Sequence, residues 1–267
     1  MAEANTKTNT GAPQNTAPSE PKFPSEIIDL PSGGKIYGKD SPLYEGKIEI
    51  KYMTAREEDI LTSANLIKKG AVLEKLMDSL ILTQGVKTTS LVLGDKNAIM
   101  VAIRILAYGP EYVTEITDPD SGQKVEHTFN LADCPFKELP KDVDYSANEF
   151  GFTLPVAKVP IRWRLITGLE EDRIDRELNA KKKIGHMIQT GITSRLKHII
   201  VELDGERDTN KIGSMVEDML SKDSLALRNE ITRVSPDIDM KQDVTFEGGE
   251  TVEVDIPLTA TFFWPNT

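Results

Sequence analysis

Cysteine is nearly missing from this sequence. Cys134 is the one cysteine in 267 residues. No disulfide can form within the chain, and the composition suits a reducing compartment. Histidine is scarce too. His127, His186 and His198 form no H-E-x-x-H pattern and have no neighbouring thiolate, so a zinc site lacks a donor set. They read as ordinary surface or core residues. Positive charge is in deficit: 32 Lys and Arg stand against 43 Asp and Glu, a net charge of −11. A general nucleic-acid binder needs basic surface to neutralise phosphates, so that class is set aside. Long apolar runs are absent. The longest, Ala98 to Tyr108, is interrupted by Arg104 and is too short to span a membrane, so it reads as a buried helix. The opening MAEANTKTNT has neither an apolar segment nor a cleavage pattern, so no signal peptide is expected and a soluble cytoplasmic protein is.

The usual catalytic and ligand motifs are missing as well. Gly34-Lys35 is not a phosphate loop, because Asp29 and Ile36 stand where that motif needs Gly and Ser or Thr. Asp118, Asp120 and Gly122 fail the register of a calcium loop and read as a turn. No G-x-S-x-G elbow occurs. Cys134 precedes Pro135 without basic neighbours to lower its pKa. No cofactor or metal is expected.

What is present is a repeated pattern. In Lys47 to Ile67, Ile48, Ile50 and Tyr52 alternate with Glu49 and Lys51, the period of a half-buried strand. Thr54 then stands three residues before Glu57, a capping box. Glu57, Glu58 and Asp59 occupy the first turn, where the helix dipole favours acids. Ile60, Leu61, Ala64 and Ile67 should line one helical face. Lys158 to Leu178 repeats this. Ile161, Trp163 and Leu165 alternate, and Thr167, Glu170, Glu171 and Asp172 restate the box 113 residues later (167 − 54). The acidic runs are thereby explained as caps rather than as a general acid/base pair. The matching signals predict an internal duplication.

The chain can be divided on that basis. Residues 1–22 have almost no apolar side chains and are expected to be a disordered tail. Residues 23–131 form a first α+β repeat, 132–150 a linker and 151–267 a second α+β repeat. Each half reads strand, capped helix, further helices, hairpin. Helices are expected over Val72 to Ile81, from Gly94-Asp95 to Tyr108, from Gly168 through Lys183, around Ile212 to Met219, and from Asp223 to Val234. Thr193 to Leu203 fits helix or strand. Hairpins are expected at Tyr112–Phe129 and Val244–Ile256, where Val125 to Leu131 echoes Val252 to Leu258. Runs of helices beside antiparallel strands favour α+β over a doubly wound parallel sheet.

Two features suggest contact with partners. Between Lys158 and His198, ten basic residues face five acids, and the Lys181, Lys182, Lys183 run lies within that stretch. Beside the reading as a solvated helix face, this makes a docking face for an acidic partner. Near the C-terminus, Phe262, Phe263 and Trp264 are consecutive. As a strand, this would put Phe262 and Trp264 in the core and leave Phe263 outward as an anchor for a partner.

Several segments together resemble the baseplate hub subunit and hub assembly proteins of T-even-type, contractile-tailed bacteriophages. They are Leu30-Pro31-Ser32 with Gly34-Lys35 and Tyr37, then Ile48 and Ile50, then Met53-Thr54-Ala55 with Glu57-Glu58-Asp59-Ile60-Leu61. The second half adds Leu165-Ile166-Thr167-Gly168, Asp204-Gly205, Asp223-Ser224 with Leu227-Arg228, and Phe262-Phe263-Trp264-Pro265. The resemblance covers nearly everything after the tail. It implies a non-enzymatic protein of the hub or of its assembly, in contact with other hub or tail proteins and compatible with an oligomer in the baseplate. Its location would be the host cytoplasm during assembly and the virion tail baseplate. Some relatives carry Cys-x-x-Cys pairs at the two hairpin turns. This chain has Asp118-Pro119-Asp120-Ser121-Gly122 and Glu247-Gly248-Gly249 there, so no metal site carries over. The rival readings are a hub-associated peptidoglycan hydrolase and a generic adaptor. The hydrolase needs two carboxylates across a cleft.

Overall fold

The first strands are built by alternation. The computed structural model describes residues 23–119, 121–183, 191–246, 249, 251–256 and 260–263. Strand β1 (Ser25–Asp29) pairs antiparallel with β2 (Lys47–Lys51), Ser25 opposite Lys51. Ile48 and Ile50 are buried on one face of β2. Helices α1 (Ala55–Leu61), α2 (Ala64–Lys69) and α3 (Val72–Leu80) follow. Ile81 returns as a single antiparallel bridge to Ile50. Helix α4 (Leu93–Tyr108) then leads into the hairpin of β3 (Glu111–Thr117) and β4 (Lys124–Asn130).

The second half runs in similar order. Strand β5 (Phe150–Thr153) pairs with β6 (Pro160–Trp163). Helices α5 (Gly168–Lys183) and α6 (Gly191–Ile199) come next, and β7 (Ile200–Leu203) returns antiparallel to β6. The ambiguous stretch after Thr193 is thus helix first and strand second. Helices α7 (Thr209–Glu217) and α8 (Ser221–Val234) lead to the hairpin of β8 (Lys241–Thr245) and β9 (Thr251–Asp255). The class is α+β, made of small antiparallel sheets and helices.

Three expectations are corrected. The apolar face drawn through Ala64 and Ile67 does not exist, because α1 ends at Leu61, with Thr62 as its C-cap, and Ile67 is 51% exposed. The Thr62 hydroxyl donates back to the Glu58 carbonyl, a local bond that competes with continued helix. Residues 132–150 are no free linker. The Lys137 N–H donates to the Asp237 carbonyl at 2.9 Å and the Asp239 N–H to Pro135 at 2.8 Å, flanking a Phe136–Ile238 bridge. Asn148 brackets Leu165, its side chain accepting from the Leu165 N–H and donating to the Leu165 carbonyl.

The third correction concerns the halves themselves. The two hydrophobic cores do not follow the 131/151 division. The first contains Leu76, Ile99 and Phe129 together with Val244, Phe246, Ile256, Phe262 and Phe263 from the far end of the chain. The second contains Trp163, Leu196 and Leu227 together with Ile36 and Val92 from the first half. The last hairpin of the second half therefore packs on the core of the first, a non-local pairing that leaves no periodic signal in sequence.

Candidate interaction site

The predicted caps form as expected from their spacing. Thr54 is extended and N-caps α1. Its N–H and its hydroxyl both donate to the Glu57 carboxylate, at 3.0 and 2.6 Å. Lys51 on β2 donates to the same carboxylate at 2.8 Å, and its ammonium also lies over the Phe23 ring. At the second cap, the Thr167 N–H and hydroxyl donate to Glu170 at 3.0 and 2.5 Å, and Arg164 adds a bond at 3.2 Å. The basic residue stands six positions before the glutamate in both. Burial alone would raise each carboxyl. For Glu57 the bonds from Lys51 and Thr54 outweigh it, and for Glu170 those from Thr167 and the charge of Arg164 do, so both lie below the usual glutamate range. Both glutamates are buried and engaged by three donors. Such groups hold a helix end and are poorly placed to exchange protons with a substrate.

A second matched pair was not anticipated. Asp95, third residue of α4, accepts from the Ser32 N–H, the Ser32 hydroxyl and the Tyr37 hydroxyl at 2.9, 2.6 and 2.5 Å. Asp223, third residue of α8, accepts from the N–H groups of Val156 and Ala157 at 2.7 and 3.0 Å. Each buried aspartate sits in the first turn of its helix and grips the connection between the first two strands of its own half. Burial pushes the Asp95 carboxyl above the usual aspartate range, against its hydrogen bonds. The sequence signal was available: both aspartates open helices.

The two halves meet where α4 and α5 begin. A Cβ on Gly94 would lie 1.8 Å from the Pro236 carbonyl oxygen, so only glycine lets α4 approach the 235–239 segment this closely. Gly168 approaches Thr88 and Thr89 in the same manner, and its N–H donates to the Leu91 carbonyl. Lys96 pairs with Glu171 at 3.1 Å, and Asn97 donates to Asp237 at 3.1 Å. Beside this junction opens a cleft of about 1140 Å³, lined from residues 164–166 after β6, from α4, α6 and α8, and from the 235–239 segment. Leu165, Leu196 and Ile238 are buried in its wall, and Arg164, Arg195 and Arg228 add positive charge.

A family model described as T4 bacteriophage base plate protein matches residues 23–264. The chain belongs to that family. No curated protein and no solved structure matches it. Membership implies contacts with other phage proteins and a place in the tail baseplate.

In this baseplate protein the expected partner contacts are placed differently from the sequence reading. Phe263 is 2% exposed, not outward. The reason is local: residues Ala260–Phe263 form a 3-10 turn rather than a strand, so neighbouring side chains need not alternate. Phe262 and Phe263 meet edge to face at 5.2 Å, and Phe262 meets Tyr112 at 5.1 Å. Arg104, the residue that interrupts the longest apolar run, anchors this turn. Its Nε donates to the Phe262 carbonyl, and its two terminal nitrogens donate to Gly109 and Glu111. Lys181, Lys182 and Lys183 end α5, and their side chains lie outside the described residues. The 1–22 tail, His186, Trp264 and the Glu247-Gly248 turn also lie outside them.

The remaining candidates have partners within the fold. Burial pushes the Cys134 thiol up, and Gln242 donates toward its sulfur. His127 packs edge to face on Phe129, and His198 lies 3.5 Å from Glu177. Among the described residues no group of three or more His, Cys, Asp or Glu could hold a metal ion, and no helix is long and apolar enough to cross a membrane.

Proposed function

We propose that this protein is a non-enzymatic component of the baseplate hub, or a factor in hub assembly, that works through contacts with other hub and tail proteins. It would meet them in the host cytoplasm while the tail is built. The observation that carries the reading is the family match over residues 23–264. The acidic runs support it, because Glu57 and Glu170, whose runs were weighed as paired carboxylates for acid/base work, are engaged by their own caps. The two halves are further read as a duplication. The matched caps, the matched aspartates and the like order of elements support that reading.

The test is genetic and structural. Removing the gene from the phage that carries it should leave host cells with baseplates that lack a complete hub, seen by electron microscopy of lysates. Complete contractile tails without the protein would refute the reading. So would clearing of peptidoglycan by the purified protein in a zymogram, which would favour the hydrolase.

A further inference from the structure

The cleft at the junction contains charge that the fold does not use. Its acids are engaged from within: Glu253 pairs with Lys241 at 2.7 Å, Asp237 accepts from Asn97, and Asp239 accepts from the Lys241 N–H. Lys137 is engaged as well, donating to the Thr232 and Ser235 carbonyls at the end of α8. The arginines are different. Arg195 on α6 and Arg228 on α8 line the cleft, are exposed, and have no carboxylate within ion-pair distance among the described residues. Arg164 holds Glu170 through one terminal nitrogen, while its Nε is buried without an acceptor. Beside them Ile192 is 51% exposed above the apolar wall. Three arginines lining one cleft of a chain with a net charge of −11 are a local reversal of sign.

We propose that this cleft seats an acidic polypeptide segment of another baseplate protein, with apolar side chains among its carboxylates. The proposal rests on the baseplate reading above and adds the chemistry of the partner. Arg195 and Arg228 would each take a carboxylate, for which the planar guanidinium fork is suited. Ile192 and the wall at Leu165 and Leu196 would take the apolar side chains. The volume exceeds the range of about 300–1,000 Å³ typical of small-molecule pockets. Nucleic acid is disfavoured, because the surrounding chain carries excess negative charge.

The experiment uses the full-length protein carrying Arg195→Glu and Arg228→Glu together, in the phage and purified. The expected result is an unchanged melting temperature, loss of plaque formation, and suppressors that change Asp or Glu to Lys or Arg in another tail protein. Normal plaques from the folded double variant would overturn the proposal, as would suppressors confined to this chain. It would also be overturned if the wild-type protein shifted a labelled single-stranded oligonucleotide and the double variant did not. Should the charge reversal prevent folding, Arg195→Gln with Arg228→Gln replaces it; reduced plaque formation with like suppressors supports the proposal and normal plaques overturn it. Gene removal separates the two ideas. Complete tails without the gene refute the baseplate reading itself, whereas defective tails without the gene and normal tails with the double variant refute only the cleft.

Discussion

The first half closes its core with residues from the far end of the chain, whereas the second closes most of its own. Phe246, Ile256, Phe262 and Phe263 complete the core around Ile99 and Phe129. The second core draws on the first half mainly through Ile36 and Val92. Yet the local devices are near copies: a threonine and glutamate cap with a basic residue six positions upstream, and a buried aspartate in the first turn of a later helix. The lesson is that short-range motifs can be repeated in a chain while the closure of each core is not. Stability of the first half should therefore depend on residues more than 130 positions away.

The largest expected effect falls on that closure. Phe263→Ala should lower stability by about 3–5 kcal/mol, the range for a buried phenylalanine. Chemical denaturation of the purified variant measures it. A change below about 1 kcal/mol would return Phe263 to the surface role read from sequence.

The glycines at the junction come next. Gly94→Ala should cost about 1–3 kcal/mol or more, because its Cβ meets backbone that cannot move aside. Gly168→Ala meets its neighbours only at 3.0 Å and beyond, so it should cost less. Thermal melts of the two variants give the order, and equal values would mean that the halves do not approach as described.

The caps test how alike the two halves are. Thr54→Ala and Thr167→Ala should each cost about 0.5–2 kcal/mol, and by similar amounts, since each loses a hydroxyl bond to a buried glutamate. A large loss at one site with none at the other would break the likeness.

The smallest effect is in pH dependence. The folded-state pKa values of Glu57 and Glu170 are depressed, so their contribution is complete above the unfolded value, about 4.3, and is lost as pH falls through the folded values. Asp95 has the opposite sign: its raised value favours the fold in acid and less so as pH rises. Glu57→Gln with Glu170→Gln should flatten the acid limb of a urea-midpoint profile. An unaltered acid limb would assign that pH dependence to other carboxylates.

Sequence carried the parts of the fold that are local. The alternation of Ile48 and Ile50, the Thr-x-x-Glu caps, the helix over Val72 to Leu80 and both hairpins are all set by neighbours within a few residues. The packing of the last hairpin on the first core was hidden, because Val244 and Ile256 alternate in the same way whichever core they meet. Phe263 was misplaced because a 3-10 turn and a strand give adjacent side chains different directions. The cleft was half legible. The basic excess between Lys158 and His198 pointed to it through Arg164 and Arg195, but Arg228 joins them only once α8 packs beside α6.

The turn at Ala260–Phe263 locks the first core, and the Tyr112–Phe262 ring contact tests that lock most directly. These residues lie 150 positions apart (262 − 112), with ring centres at 5.1 Å. A double-mutant cycle with Tyr112→Leu and Phe262→Leu, read by denaturant unfolding, should give a coupling of about 0.5–1.5 kcal/mol beyond the summed single effects. Additivity within about 0.3 kcal/mol would contradict the account.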